Sequence, residues 1–162
     1  MRTHLIIVSL VVLCIFSSCQ KEFEDPNDPP ANTTVDFKAK INGVQFVADT
    51  SGATIITNSM ISLTGKSADG QMIAFTVADS GVHVYSLDIN SISNVGAYVN
   101  ITGLAFTSNG GTTPAESGGN LAIVSIDSVK RLMSGTFNFK AFRQVDGTQK
   151  TITEGVFNNI SY

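Results

Sequence analysis

Tryptophan is absent from this 162-residue chain, cysteine and histidine occur twice each, proline four times, and only 14% of residues are charged. Each shortage excludes something. Both cysteines, Cys14 and Cys19, lie before residue 20, so the remainder can build neither a disulfide nor a thiolate metal site. With 10 Lys+Arg against 13 Asp+Glu, the net charge of −3 gives no basic field for nucleic acid or for anionic lipid headgroups. Nucleic acid is therefore excluded as a partner. His83 is the sole histidine after residue 4, and one imidazole without thiols cannot form a transition-metal cluster of the usual ligand types. The acids are scattered and form no D-x-D-x-D-G loop, so neither metal nor cofactor is expected. No apolar pattern with a helical period of 3.6 continues past Phe16, and no fixed-period repeat points to a propeller or solenoid.

What is present begins with an address. "MRTH" carries positive charge and precedes the apolar stretch Leu5 to Phe16, the order of an export signal. Twelve helical residues rise only about 18 Å, short of the ~30 Å hydrocarbon core, so a membrane span is not expected. Phe16-Ser17-Ser18-Cys19 resembles a bacterial lipobox: an apolar residue, two small ones, then the cysteine whose thiol accepts lipid before cleavage on its N-terminal side. Several acyl chains, palmitate among them, at ~0.8 kcal/mol per buried CH₂ would hold the mature protein firmly in a membrane. Just after it, Lys21, Glu22, Glu24 and Asp25 resemble the surface-export signal of Bacteroidetes lipoproteins. Gln20 stands where an aspartate would retain a lipoprotein in the inner membrane of enteric bacteria. The expected address is the outer membrane, facing the cell surface. Residues 1–18 are read as a cleaved signal, 19–33 as the lipidated cysteine with a disordered, proline-bearing tether, and 34–162 as one β-domain.

That domain reads as strands. In "FKAKINGVQFVA", Asn42-Gly43 is the favoured two-residue hairpin turn, because both positions need positive φ. Pairing outward from it sets Ile41 opposite Val44, Ala39 opposite Phe46 and Phe37 opposite Ala48 on one face, with Lys38, Lys40 and Gln45 on the other. Further strands are expected at 53–57, 60–64, 72–77, 82–87, 97–101, 121–126, 136–142 and 151–160, bounded by Gly, Asp, Ser and Asn. About ten short strands predict an all-β antiparallel sandwich, with a flattened calycin-like β-barrel as the alternative.

The C-terminal third holds a strand ending in Ile126-Asp127, a short turn, then Ser134-Gly135-Thr136-Phe137-Asn138-Phe139 and later Gly155-Val156-Phe157. With the lipobox and the "FKAKINGVQF" start, it resembles an uncharacterised family of Bacteroidetes outer-membrane and surface lipoproteins, whose β-domain has no known function. These motifs are strand and turn patterns; the resemblance implies a fold and an anchor and carries over no catalytic residue.

Asp79, Ser80 and His83 lie within five residues, too close in an extended hairpin to chain nucleophile, base and acid, so a turn and a strand histidine are expected. Asp69, Asp79 and Asp146 sit near glycines as turn residues. Asp88, Asp127 and Glu154 are the acids that could meet in space for hydrolysis, and a deep cleft joining them would support that alternative. Asp127-Ser128-Val129 resembles a short Bacteroidetes O-glycosylation pattern, and Asn100 and Asn159 match an N-glycosylation pattern that a bacterial chain would leave unused. The segment Thr107 to Asn120 is long for a connection within a compact domain; two Gly-Gly pairs predict mobility, with Phe106 as its anchor. Phe106, Asn109, Gly110, Gly111, Glu116, Gly118 and Gly119 are its candidate binding residues, and shortening the segment is expected to cost little stability. The expected function is non-enzymatic binding of a glycan or envelope protein, with a structural subunit of an envelope complex as the second class and a carboxylate hydrolase as the third.

Overall fold

The computed structural model describes residues 36–56 and 60–162. The predicted signal, Cys19, the tether and the charges at Lys21, Glu22, Glu24 and Asp25 lie outside them. The described residues hold no helix, and eleven antiparallel strands run in chain order. They are β1 (Asp36–Ile41), β2 (Val44–Val47), β3 (Thr50–Ile56), β4 (Met60–Lys66), β5 (Met72–Val77), β6 (Val84–Ser86), β7 (Val95–Val99), β8 (Ala105–Thr107), β9 (Gly118–Asp127), β10 (Leu132–Arg143) and β11 (Thr148–Ser161).

They form one sheet in the order β2-β1-β11-β10-β8-β7-β5-β4-β3, and the sheet curls into a half-barrel. Its two margins are consecutive in the chain. Ala48 N–H donates to the Phe37 carbonyl at 2.8 Å and Asp49 N–H to the Lys66 carbonyl at 2.9 Å. Residues 44–56 thus act as one bent strand, serving β1 with the first half and β4 with the second, as strands do at the corners of packed sheets. The other irregular place is β10. It pairs with β9 from Leu132 to Lys140, and at Phe142 it meets Thr107 of β8. The β9–β6 pair occupies the space where β8 has left β10.

The hairpin reading holds in register: Ile41 faces Val44 and Ala39 faces Phe46, with Asn42 and Gly43 at φ 50° and 83°. One residue departs from it. Val44 is 70% exposed, because it sits at the hairpin tip beyond the core. Strands β8 and the first three residues of β9 were not foreseen, since "AFT" is short and Gly118-Gly119 reads as a turn.

The core explains the glycine and phenylalanine motif. Phe137 packs its ring 5.2 Å from Phe37 and 4.9 Å from Phe75, and Phe139 lies 5.4 Å from Phe75, so opposite walls of the curl meet through aromatic rings. Across β10 and β11 the register pairs Gly135 with Phe157 and Phe137 with Gly155. A Cβ on Gly155 would lie 2.2 Å from the Phe137 ring, and one on Gly135 would lie 2.4 Å from Phe157 and 2.1 Å from the Ala122 carbonyl. Each ring therefore rests on the bare backbone of the neighbouring strand, the arrangement by which aromatics cover strand glycines.

β11 is not evenly alternating. Its buried residues are Ile152, Gly155, Phe157 and Ile160, and the three-residue steps fall at Glu154 and Asn159, both at φ 52°. The register shifts opposite Asn138 and Ala39 mark the first step as a bulge, an extra residue that reverses which face the following side chains occupy.

Candidate functional site: a cleft under the β8–β9 loop

The connection between β8 and β9 spans residues 108–117, shorter than the segment read from sequence, and its polar groups are extensively tied down. Phe106 is buried at its root, 5.8 Å from the Tyr98 ring, with the Lys150 ammonium 5.6 Å above it. Ser108 and Ser117 are buried; the Ser108 hydroxyl accepts Gly96 N–H and the Ser117 hydroxyl accepts Gly111 N–H, each at 3.0 Å. The Glu116 carboxylate accepts Thr112 N–H at 2.7 Å, the Thr112 hydroxyl at 2.9 Å and Thr113 N–H at 3.1 Å. Those bonds, the Thr112 amide first, hold its carboxyl below the ordinary range. From outside, Lys140 Nζ and the Gln149 amide donate to the Ala115 carbonyl, each at 3.1 Å. Asn109 reaches across to the Ser91 carbonyl at 3.3 Å.

The glycines have a different role from the one their sequence suggested. A Cβ on Gly110 would meet the Phe142 carbonyl at 2.3 Å, and one on Gly119 the Asn138 carbonyl at 2.2 Å. Gly118 and Gly119 also have φ of +116° and +155°. Gly110 and Gly119 let the loop lie directly against β10, and Gly118 answers to its positive φ, so the expectation of a mobile loop gives way to one in which close approach or backbone conformation selects each glycine.

Under the loop lies a cleft of about 460 Å³. Its floor is the outer face of β10 and β11, with Asn138, Lys140, Thr151 and Thr153; its walls are Pro114, Ser117, Gly118 and Gly119 on one side and Asp88, Ile89 and Asn90 on the other. The Glu154 bulge, one residue along, turns its carboxylate outward to Lys40 Nζ at 2.8 Å. The segment after β6 is fastened to the loop's end by Leu87 N–H on the Gly119 carbonyl at 2.8 Å. Asp88 is held by accepting Asn90 N–H at 2.9 Å.

Of the candidate loop residues, Gly118 and Gly119 line this cleft. Asn109, Gly110, Gly111 and Glu116 instead build the loop that overhangs it, and Phe106 is buried in β8 at the loop's root. Asn138, Lys140, Thr151, Thr153 and Asn90 were missed, since they come from separate segments and each reads as an ordinary outward strand or turn residue; Asp88, singled out only as a hydrolytic acid, lines the cleft as well. The signal available was the alternation in "TFNFKAF", where the residues between the aromatics face out.

The three watched acids do not meet. Asp88 lines the cleft, whereas Asp127 pairs with Leu132 at the far end of β10, eight residues or roughly 26 Å from Lys140. Its Oδ1 accepts Val129 and Lys130 N–H, each at 2.9 Å, and so stabilises a turn. Glu154 is paired with Lys40. The "DSGVH" stretch is likewise structural: Asp79 accepts Ser80 N–H at 2.7 Å, and His83 lies on the Tyr85 ring at 4.0 Å. Asp69 and Asp146 hold turns through Gln71 and Thr148. Among the described residues no cluster of three or more His, Cys, Asp or Glu is placed to hold a metal ion.

Comparison with known proteins returns one family: residues 33–161 match the domain of unknown function DUF6252. No curated protein and no solved structure matches the chain. The match covers most of the chain, and the chain belongs to this family.

Proposed function

We propose that this member of the DUF6252 family is a bacterial lipoprotein of the Bacteroidetes type, anchored in the outer membrane through Cys19 and displayed at the cell surface, whose β-domain binds a ligand without enzymatic turnover. The observation that carries the binding part is the cleft: a concavity in the size range of ligand sites, walled by a loop whose hydrogen bonds pre-form it. The lipobox and the charges after it carry the address. Surface polysaccharide and outer-membrane protein fractions passed over the immobilised protein test the cleft. Retention should fall sharply in an Asn138→Ala/Thr151→Ala variant, and equal retention by both proteins removes the cleft from the account. Labelling with a clickable fatty acid tests the anchor, with incorporation expected in the parent and absent from Cys19→Ala.

A second reading, a structural subunit of an envelope complex, draws on one further feature. Val82 just before β6, Val84 on β6 and Val124 on β9 are about 60% exposed, and among the described residues β6 pairs on one side only, with β9. Stoichiometric co-purification with a membrane partner, lost in Val84→Lys, would favour that reading over the cleft.

A further inference from the structure

We infer that the cleft takes a neutral, polyhydroxylated ligand, a segment of an oligosaccharide, an assignment that rests on the cleft being the binding site. The side chains facing the space are complementary to sugar hydroxyls. The side-chain amides of Asn90 and Asn138 and the hydroxyls of Thr151 and Thr153 have no hydrogen-bond partner among the described residues, whose bonds at these positions run through backbone N–H groups. Amides and hydroxyls each donate and accept, which suits groups that do the same. Ile89 and Pro114 supply apolar surface for the C–H faces between them.

The charges argue against an ion. Asp88 and Lys140 contribute one charge of each sign, Lys140 is engaged by the Ala115 carbonyl, and the neighbouring Lys40 and Glu154 neutralise each other. Neither an anion nor a cation finds an unopposed field. The topology argues against an extended peptide. A peptide strand docks by adding to a sheet edge, but both floor strands are interior: β10 is flanked by β9 and β11, and β11 by β10 and β1. The floor offers side chains and no free backbone ladder. Nor is stacking on an aromatic face available, because Phe139, the ring nearest the floor, is 2% exposed.

The test uses the full chain purified in a zwitterionic detergent without a sugar headgroup, on an array carrying neutral oligosaccharides, uronate or sulfated oligosaccharides, and pooled tripeptides. Retention of one or more neutral oligosaccharides is expected, little changed by added salt, weakened about tenfold by Asn138→Ala or Thr151→Val and untouched by Val84→Lys. Retention confined to anionic sugars or peptides, and lost in Asn138→Ala, overturns the ligand class while leaving the cleft as the site. Neutral-sugar retention indifferent to both cleft variants overturns the site and with it this inference. An array that retains nothing overturns the inference as well.

Discussion

Gly155→Ala adds a single methyl group where the structure has no room for one. The new Cβ would lie 2.2, 2.4 and 2.5 Å from three atoms of the Phe137 ring, against ordinary carbon contacts of about 3.5–4.0 Å. The ring would have to retreat by more than about 1 Å, and it has nowhere to go. Phe137 is 2% exposed and already rests on Phe37 and Phe75. Overpacking of this kind costs about 1–3 kcal/mol, and with the neighbours fixed the upper end is expected here. Against a typical stability of about 5–15 kcal/mol the domain should still fold, with its Tm lowered by roughly 10 °C. Urea melts of parent and variant measure the loss directly, provided the m-value is unchanged. The sharper readout is coupling: shrinking the ring with Phe137→Leu should relieve the methyl, so the double variant should be about 1–2 kcal/mol more stable than additivity gives. A Gly155→Ala loss below about 0.5 kcal/mol, or strict additivity, would refute the reciprocal packing of glycine and phenylalanine across β10 and β11.

Other consequences follow from the same geometry. Ser108→Ala should cost about 1–3 kcal/mol in thermal or chemical melts, because it leaves the Gly96 amide buried without its acceptor; replacing the 108–117 loop by a short turn should therefore destabilise the domain rather than be tolerated. The carboxyls of Asp36, Asp69, Glu116 and Asp146 all sit below their ordinary range, so folded-state stability should be fully present above about pH 5 and decline as pH falls through 4 and below. Glu116→Gln should flatten that decline in a Tm-against-pH series, and an unchanged slope would show that the loop is not held by its carboxylate. Replacing Lys21, Glu22, Glu24 and Asp25 by alanine should leave fatty-acid labelling intact but protect the protein from protease added to whole cells, and unaltered cleavage would reduce these charges to a solvated linker.

The strands were legible because their signals are local. Asn42-Gly43 admits one turn type, and the alternation around it fixes which side chains face inward. The bulge at Glu154 was not legible, since glutamate seldom takes positive φ and nothing around it in "TITEGVFNNIS" marks it; at Asn159 the residue type allows the conformation, but Asn158 beside it offers the same signal. The glycines of the β8–β9 loop misled for a related reason. Composition says that glycine permits unusual backbone, but only the neighbouring carbonyls of Phe142 and Asn138 reveal that the requirement is close approach. The cleft itself depends on where Asp88, Asn138 and Thr151 come together, a matter of β9 and β6 filling the gap left by β8, and that topology has no signature in any one segment.

The claim that recognition takes place in the cleft is tested most directly by amide chemical-shift mapping of the isotopically labelled protein during titration with a neutral oligosaccharide digest of surface polysaccharide. Gly118, Gly119, Asn138, Lys140 and Thr151 should shift together along one saturating curve. Shifts gathered instead on Val82, Val84 and Val124, or on the Asp127–Arg131 turn, would contradict it.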